Sequence, residues 1–230
     1  MNQSHTLQVL GDAHDQITVS PATLIVAGYT GRDESAVREH IEELAAIGIS
    51  PPPQVPMLYN LDPDLITSDT IVEIGPGTST GEIEPLFVWH DGRWYLGLGS
   101  DLTDRDLERD DVKKSKAACS KPVARTVAAL PDDVATGDFD EVWDQILAVS
   151  YVDGEPYQQG TLAGLRPPSD LLPRVAKAIG SSRLEEDIVV FAGTLPLIGG
   201  EFRVGSTWQA RLTLPQGQAI SHEHQTIRRA

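Results

Sequence analysis

Residues 81–101 read GEIEPLFVWHDGRWYLGLGSD. Asp91-Gly92 lies between two apolar runs, and this dipeptide favours a two-residue hairpin turn because both residues tolerate positive φ. The segment EIEPLFVWH at 82–90 is therefore predicted to be a strand, and RWYLGLGSD at 93–101 is predicted to be its return strand. This hairpin is the part of the sequence that most constrains the fold.

Three carboxylates are expected to meet at the open end of the hairpin. Successive side chains of a strand face opposite sides, so Glu82 and Glu84 should project together while Ile83 enters the core. Taken alone, this Glu-x-Glu pattern is more often ordinary polar alternation at a sheet edge. Asp101 ends the return strand, however, and would bring a third carboxylate close to the other two. Three such groups repel one another unless a cation lies between them, and their oxygens suit Mg²⁺, Mn²⁺ or Ca²⁺.

The rest of the chain alternates short strands with a few helices. The helical segments begin near Asp33 or Ser35, at Phe139 and at Pro167, and the first carries an apolar stripe of Val37, Ile41, Leu44 and Ile47. The remaining apolar segments are predicted as strands: 6–10, 17–19, 24–27, 70–76, 188–193, 208–214 and 220–227. No regular βαβ order is present, which predicts a β-rich α+β fold. The acidic stretch 133–140 could be a linker, but it has no Ser, Gly or Pro tract. We therefore expect a single domain over residues 1–230, with 1–23 contributing N-terminal strands.

Composition narrows the classes of function. The chain has 230 residues, 40% of them hydrophobic, and a formal net charge of −16. Such a field repels nucleic acid and anionic lipid, so neither is expected as a partner. It also repels acidic substrates, which would require local Lys, Arg or a bound metal to reverse the sign. The single cysteine, Cys119, together with the lack of a secretory signal or a membrane-length apolar run, favours a cytoplasmic protein.

Several motifs in order resemble the fumarylacetoacetate hydrolase superfamily. Ser100-Asp-Leu-Thr-Asp-Arg-Asp-Leu-Glu108 is similar to that family's N-D-x-[ST]-x-R-D-[IL]-Q, and it follows a Glu-x-Glu as the family's motif does. Lys114-Ser115 with Pro122 is similar to its K-S-F…P segment. Asp153-Gly-Glu-Pro-Tyr-Gln158 is similar to its N-G-E-x-x-Q hairpin. Ala192-Gly-Thr-Leu-Pro196 is similar to its T-G-T-P element, and His40-Ile-Glu-Glu43 to its H-x-x-E lid. The resemblance extends over roughly residues 24–229 and implies the mixed β-sheet roll or sandwich of that family.

The resemblance also implies roles for individual residues. Glu82, Glu84 and Asp101 match metal ligands for Mg²⁺ or Mn²⁺. Arg105, Thr194 and Glu108 match positions on the substrate-facing wall. Lys114 matches a lysine that stabilises developing oxyanion charge. His40 and Glu43 match an acid/base pair on a helical lid element, here residues 29–50. Relatives of this kind are homodimers, which is therefore expected here too.

The expected activity is hydrolysis of a C–C bond in a small 2,4-dioxo acid, such as an acylpyruvate or a fumarylacetoacetate-like compound. Departures from the family pattern lie on the substrate side, where Ser100 replaces Asn, Glu108 replaces Gln and Lys116 replaces an aromatic residue. A 2-oxo acid decarboxylase, hydratase or isomerase using the same metal site therefore stays open. A non-catalytic small-acid binding protein is the alternative from another class. His222 and His224 are interpreted as sheet-edge residues rather than metal ligands, and Cys119 has no nearby His to activate it.

Overall fold

The fold consists mainly of strands, joined by short helices. A computed structural model describes residues 3–11, 15–46, 50–180 and 185–229. The strands of this part of the chain are β1 (His5–Val9), β2 (Gln16–Val19), β3 (Thr23–Gly28), β4 (Met57–Leu61), β5 (Ile66–Thr67), β6 (Ile71–Ile74), β7 (Ser79–Thr80), β8 (Ile83–His90), β9 (Arg93–Ser100), β10 (Thr103–Asp104), β11 (Lys121–Pro122), β12 (Thr126–Ala129), β13 (Leu147–Val152), β14 (Glu155–Thr161), β15 (Ile188–Phe191), β16 (Thr207–Thr213) and β17 (Ala219–Arg228). The helices are α1 (Glu34–Ala46), α2 (Arg105–Glu108), α3 (Val112–Ala117), α4 (Asp140–Gln145) and α5 (Pro168–Ile179).

Most of the strands belong to two large sheets. The eight-stranded sheet has the order β2-β1-β12-β9-β8-β15-β3-β4, and the five-stranded sheet has the order β14-β13-β16-β17-β6. Both sheets are mixed, because β15 runs parallel to β3 but antiparallel to β8, and β17 runs parallel to β6 but antiparallel to β16. The predicted β-rich α+β class is confirmed.

The predicted hairpin lies near the middle of the larger sheet. His90 pairs with Arg93 across the turn, and both turn residues have positive φ, 47° at Asp91 and 80° at Gly92. These values match the primed turn that suits the right-handed twist of paired strands. A second hairpin forms at Asp153-Gly154, again as the sequence predicts.

The apolar core lies between the two sheets. One cluster joins Phe87 of β8 to Ala148 of β13 and Leu212 of β16. Trp143 on α4 is fully buried and stacks on Phe87 with ring centroids 5.3 Å apart. Aromatic stacking of this kind adds to the burial of apolar area, so α4 is fixed against the hairpin. The single-domain prediction itself stays a prediction.

Helix α1 lies on the surface near the end of β3. The Asp33 carboxylate accepts hydrogen bonds from the backbone N–H groups of Ser35 and Ala36, at 2.9 and 3.2 Å, and caps the helix as predicted. The stripe of Val37, Ile41 and Leu44 is only half-buried, and no side chain of the helix is fully buried. Ile47 of the predicted stripe, and residues 47–49 of the predicted lid, lie outside the described residues.

Short elements after β9 fold residues 101–122 back over the end of the hairpin. β10 pairs with β7, and β11 pairs in parallel with β5. The Asp104 carboxylate caps α2, and the Asp111 carboxylate caps α3. Among the described residues, no helix is long and apolar enough to cross a membrane.

Candidate active site at the end of the hairpin

The three predicted carboxylates lie at the open end of the β8–β9 hairpin. The backbone N–H of Asp101 donates to the carbonyl of Glu82 at 2.9 Å, so the pairing of the two strands continues to both residues. Asp101 is fully buried, Glu84 is 3% exposed and the Glu82 side chain is 14% exposed. Ile83 between the glutamates enters the core, as the alternation predicts.

Asp101 is held by two lysines. The ammonium of Lys116 donates to Asp101 Oδ2, and Lys121 Nζ lies 3.1 Å from Asp101 Oδ1. Burial alone would raise the pKa of Asp101, but the two ammonium groups outweigh it and lower that pKa to about 2. The Lys121 contact lacks hydrogen-bond geometry, so within the described residues Asp101 Oδ1 has no hydrogen-bond partner.

Glu84 is the carboxylate of the three whose negative charge is most disfavoured by its surroundings. Burial, and then the charge of Asp101, raise its pKa well above the usual range, while Lys116 and a hydrogen bond from Gly193 act in the opposite direction. The backbone N–H of Gly193 donates to Glu84 Oε2 at 2.9 Å. Gly193 has φ +100°, and a Cβ there would lie 1.7 Å from Thr30 Oγ1. Only glycine can therefore bring this N–H to the carboxylate without displacing the loop after β3.

Glu82 is fixed by Arg105. Arg105 Nη2 donates to Glu82 Oε2 at 2.8 Å, and Nη1 donates to both oxygens of Glu108 at 3.0 and 2.8 Å. Nε donates to Thr80 at 2.7 Å, and the Phe202 ring covers the guanidinium at 3.6 Å. Arg105 and Glu108 were expected to face the substrate. In the structure they neutralise each other and orient Glu82, so the guanidinium has little capacity left for a substrate carboxylate.

The donor set fits a hard divalent cation. Carboxylate oxygens are the ligands that Mg²⁺ and Mn²⁺ prefer, and Asp101 Oδ1 is a buried acceptor that has an ion pair with Lys121 but no hydrogen bond in the described residues. The set is not closed around a single point, however. In the described part of the chain, no three His, Cys, Asp or Glu side chains are grouped tightly enough to hold a metal. The assignment of Glu82, Glu84 and Asp101 as metal ligands stays a prediction.

The structure places Lys114 away from these carboxylates. Its side chain is 79% exposed and pairs with Asp111 at 3.4 Å on the surface of α3. Lys116, two residues further along, turns inward together with Ser115 and reaches Asp101. Lys116, and not Lys114, is therefore the lysine of α3 beside the carboxylates, because one short helix directs residues two positions apart to different sides. The oxyanion role predicted for Lys114 stays a prediction.

His40 and Glu43 are also outside the cluster. They lie on the solvent side of α1, with side chains 62% and 78% exposed, and the closest approach of their nitrogen and oxygen atoms is 3.7 Å. In the described residues, no hydrogen bond or ion pair links them to the three carboxylates. The acid/base role predicted for them would require α1 to move over the site.

Thr194 lies beside the carboxylates but its hydroxyl is engaged. It donates to the carbonyl of Ile83 at 2.8 Å and accepts from Gln158 Nε2 at 2.7 Å. Gln158 is fully buried and also accepts from the Ile83 backbone N–H at 2.9 Å. This arrangement joins β14 and the loop after β15 to the strand that carries Glu84. Thr194 can reach a substrate only by exchanging its bond to Ile83.

Two tyrosines that the sequence did not single out border the cluster. Burial raises the pKa of Tyr59 to about 12, with further effects from Tyr29, Lys116, Glu108 and Asp101. Burial also raises the pKa of Tyr29, as does the charge of Glu108. Tyr29 has φ 57°, a strained backbone for a non-glycine residue that is characteristic of functional sites. The only sequence signal was a tyrosine between glycines, Gly28-Tyr-Thr-Gly31, directly after a strand.

In the described residues, the side chains of the two alternative site candidates make no hydrogen bond or ion pair with the three carboxylates. Cys119 is buried, and burial raises the pKa of its thiol, which disfavours a nucleophilic thiolate. His222 and His224 lie on β17 with Nε2 and Nδ1 3.1 Å apart. The His224 ring stacks on Trp208 at 6.3 Å. The two imidazoles contact each other and are buried, at 9% and 1% exposed, on a strand that lies between β16 and β6. The predicted position at a sheet edge is therefore wrong.

Solved structures with this arrangement of strands are proteins of the fumarylacetoacetate hydrolase type. A candidate fumarylpyruvate hydrolase from Burkholderia cenocepacia is 17% identical with a TM-score of 0.65, and the match covers 100% of this chain and 97% of that one. A candidate fumarylacetoacetate isomerase/hydrolase from Oleispira antarctica is 19% identical with a TM-score of 0.63, covering 99% and 100%. Fumarylpyruvate hydrolase from Pseudomonas aeruginosa, solved with Mn²⁺ and pyruvate, is 16% identical with a TM-score of 0.58, covering 100% and 98%. The protein therefore has the fumarylacetoacetate hydrolase fold.

A comparison of the sequence with family models assigns the chain to one family. The model of the family described as "Protein of unknown function (DUF2848)" matches residues 27–224, and the chain belongs to that family. None of the curated proteins is detectably similar to it in sequence. The solved structures therefore show the fold of the chain, while the family model that matches its sequence names no activity.

Proposed function

We propose that this protein is an Mg²⁺- or Mn²⁺-dependent enzyme that hydrolyses a C–C bond in a small 2,4-dioxo acid. The observation that carries the proposal is the buried pair Glu84 and Asp101 with the Lys116 ammonium beside it. Burying two carboxylates next to a lysine costs free energy of folding. Perturbed titratable groups of this kind are concentrated at functional sites. The proposal is further supported by the fold, which the chain shares with a fumarylpyruvate hydrolase solved with Mn²⁺ and pyruvate.

The cation would be held by Glu82, Glu84 and Asp101, and when bound it would polarise the oxygens of the substrate's carboxylate and 2-oxo group. In hydrolysis, water adds its oxygen to the C4 carbonyl, the C3–C4 bond breaks, and C3 keeps the electron pair and takes a proton. The products are pyruvate and a carboxylic acid. Lys116 supplies positive charge beside the developing anion. Tyr29 and Tyr59, whose pKa values respond to the charges of the cluster, would donate hydrogen bonds to the substrate, since burial keeps their hydroxyls protonated.

The candidate base for the attacking water is His40, oriented by Glu43. Both side chains are solvent-exposed on α1. The hydrolase therefore requires α1, a helix with no fully buried side chain, to close over the carboxylates. Apo geometry does not exclude such a base, because catalytic contacts often form only with substrate bound.

The same exposure favours a second candidate function. A 2-oxo acid decarboxylase or isomerase needs the carboxylates and a nearby cationic group, but it needs no activated water. If α1 stays open, Lys116 and the tyrosines are the remaining acid/base groups at the site, and the reaction is then decarboxylation or isomerisation.

The test is a substrate screen on metal-depleted protein. Acetylpyruvate, fumarylpyruvate and oxaloacetate are supplied with Mn²⁺ or Mg²⁺, and pyruvate and CO₂ are measured as products. Glu84→Gln should abolish turnover, while Glu155→Gln, an exposed residue of β14, serves as the matched control. His40→Ala decides between the two reactions, because loss of acylpyruvate cleavage with retained oxaloacetate decarboxylation assigns His40 to hydrolysis alone.

A non-catalytic protein gives a different pattern. It would bind small acids such as oxalate without turnover, and its binding would be unaffected by Glu84→Gln. Turnover that is equal with and without metal would refute the metal-dependent proposal. A homodimer in the cytoplasm also stays a proposal, and light scattering of the purified protein tests the first part of it.

A further inference from the structure

The orientation of the Gln158 side-chain amide is determined by its neighbours. The Ile83 backbone N–H can only donate, and it lies 2.9 Å from Gln158 Oε1. The Leu195 carbonyl can only accept, and it lies 2.7 Å from Gln158 Nε2. These two contacts leave a single assignment of the amide oxygen and nitrogen. Gln158 therefore presents an N–H group to the Thr194 hydroxyl, at 2.7 Å.

This orientation decides how the Thr194 hydroxyl is used. A hydroxyl has one hydrogen to donate and two lone pairs that accept. One lone pair accepts from Gln158 Nε2, and the hydrogen points to the Ile83 carbonyl at 2.8 Å, because a carbonyl oxygen cannot donate. The remaining capacity of the hydroxyl is one lone pair. The bond to Ile83 would have to be exchanged only for donation to a ligand, whereas acceptance from a ligand leaves it in place.

The remaining lone pair belongs to a residue at the carboxylate cluster. Thr194 follows Gly193, whose N–H donates to Glu84 Oε2 at 2.9 Å. Thr194 is half-buried, so its open side is accessible to a ligand that lies beside Glu84. Two cationic donors of the cluster, Arg105 and Lys116, are already bonded to carboxylates. What Thr194 offers to a ligand at this position is therefore an acceptor.

We propose that Thr194 accepts a hydrogen bond from the ligand, and that the site is selective for small 2-oxo acids that carry an O–H or N–H group. The enol tautomer of a 2,4-dioxo acid is such a compound, because its C3 hydrogens lie between two carbonyls and one of them transfers readily to an oxygen. The inference rests on the proposed function only in placing a 2-oxo acid beside the carboxylates. It reverses the role expected for Thr194, since an ionised carboxylate has no hydrogen to donate to the lone pair.

Oxamate and pyruvate are a matched pair of ligands for the test. Both are monoanions of nearly the same shape, and oxamate has an NH₂ donor where pyruvate has a methyl group. Calorimetry, with Mn²⁺ and with chelator, measures the binding of both acids to the wild type and to three variants. Thr194→Val keeps the shape of the side chain without its oxygen, and Thr194→Ser keeps the oxygen. Thr161→Val changes an exposed threonine of β14 and is the control.

The wild type should bind oxamate at least about fivefold more tightly than pyruvate, which corresponds to one ordinary hydrogen bond. Thr194→Val should lose this preference, while Thr194→Ser and Thr161→Val should retain it. Equal affinities of the wild type for the two acids, or a preference that persists in Thr194→Val, would overturn the inference.

A crystal structure of the wild type with oxamate covers the case in which Thr194→Val fails to fold. The oxamate nitrogen should lie within about 3.2 Å of Thr194 Oγ1 while the bonds to Ile83 and Gln158 persist. An oxamate carboxylate oxygen in that place, with the bond to Ile83 broken, would refute the acceptor role.

Release of pyruvate from acylpyruvates tests the proposed function separately. Cleavage by an enzyme that does not prefer oxamate refutes this inference alone. A preference for oxamate that depends on Thr194, without cleavage of any acylpyruvate, refutes the proposed hydrolysis alone. If neither acid binds and no acylpyruvate is cleaved, both fail.

Discussion

The buried pair His222 and His224 predicts a loss of stability in mild acid. The rings are 9% and 1% exposed, and His224 Nε2 has no hydrogen-bond partner among the described residues. Burial lowers the pKa of His222 to about 4 and that of His224 to about 3, and the proximity of His222 contributes to the second shift. Both imidazoles are therefore neutral in the folded protein at pH 5, whereas in the unfolded chain they have the ordinary histidine pKa of 6.5.

The sign follows from proton uptake. Below pH 6.5 the unfolded chain binds protons that the folded protein refuses, so the free energy of unfolding decreases as the pH falls toward the folded values. The stabilisation is complete above the unfolded pKa and is lost progressively down to about pH 3. Between pH 7 and pH 5 the loss is about 2 kcal/mol for each histidine and about 4 kcal/mol for the pair. Because both folded pKa values lie below this window, the size of the loss is set mainly by the unfolded state.

Urea unfolding at half-unit steps from pH 7 to pH 5 measures this loss. The double variant His222→Gln/His224→Gln should have a flatter profile by about 4 kcal/mol. His40→Gln, which replaces a histidine 62% exposed on α1, should follow the wild type. Glu84 and the other carboxylates are the same in all three proteins, so the difference in slope isolates the pair. Parallel profiles for the wild type and the double variant would refute the reasoning.

Three further substitutions test other parts of the structure. Trp143→Ala removes the ring that stacks on Phe87 in the core and should lower the free energy of urea unfolding by about 3–5 kcal/mol; a loss below 1 would contradict this packing. Gly193→Ala places a methyl group 1.7 Å from Thr30 Oγ1 at φ +100°, so we expect a fall of about 1–3 kcal/mol in the same assay and weaker Mn²⁺ binding by calorimetry. Lys121→Met removes the donor to three buried carbonyls and should cost about 3–5 kcal/mol. Lys113→Met is the control, because Lys113 is exposed on α3, and its free energy of unfolding should stay within about 0.5 kcal/mol of the wild type. Similar losses in the two lysine variants would show that Lys121 is not a structural residue.

Local chemistry made the hairpin predictable. Asp91-Gly92 determines the turn, and the strict period of two along β8 then determines which side chains share a face. Once the turn is known, Asp101 must end opposite Glu82, and the backbone bond between them confirms it. Asp33 was predictable as a helix cap for the same reason, since its effect extends over only three residues.

The cationic side of the site was not predictable in this way. Lys113, Lys114 and Lys116 lie in one short charged run, and the face of α3 that turns inward is decided by contacts with residues distant in sequence. The resemblance to family motifs selected Lys114, but the helix buries Lys116. Nothing in the pattern around Lys121 signals a fully buried lysine, because its partners are backbone carbonyls. The positive φ of Tyr29 is likewise a tertiary property, which a sequence pattern does not contain.

The arrangement of charges also answers how a chain with a net charge of −16 could accept an anionic substrate. The hairpin end brings together four carboxylates, Glu82, Glu84, Asp101 and Glu108, with three cations, Arg105, Lys116 and Lys121. With every group ionised the cluster carries one negative charge, which would repel a 2-oxo acid. The proposed divalent cation would change this to one positive charge without any change in the protein's surface. The bound cation would therefore also attract the anionic substrate to the site. The acidic surface would oppose this attraction little, since at physiological ionic strength surface charges are screened beyond about 8 Å.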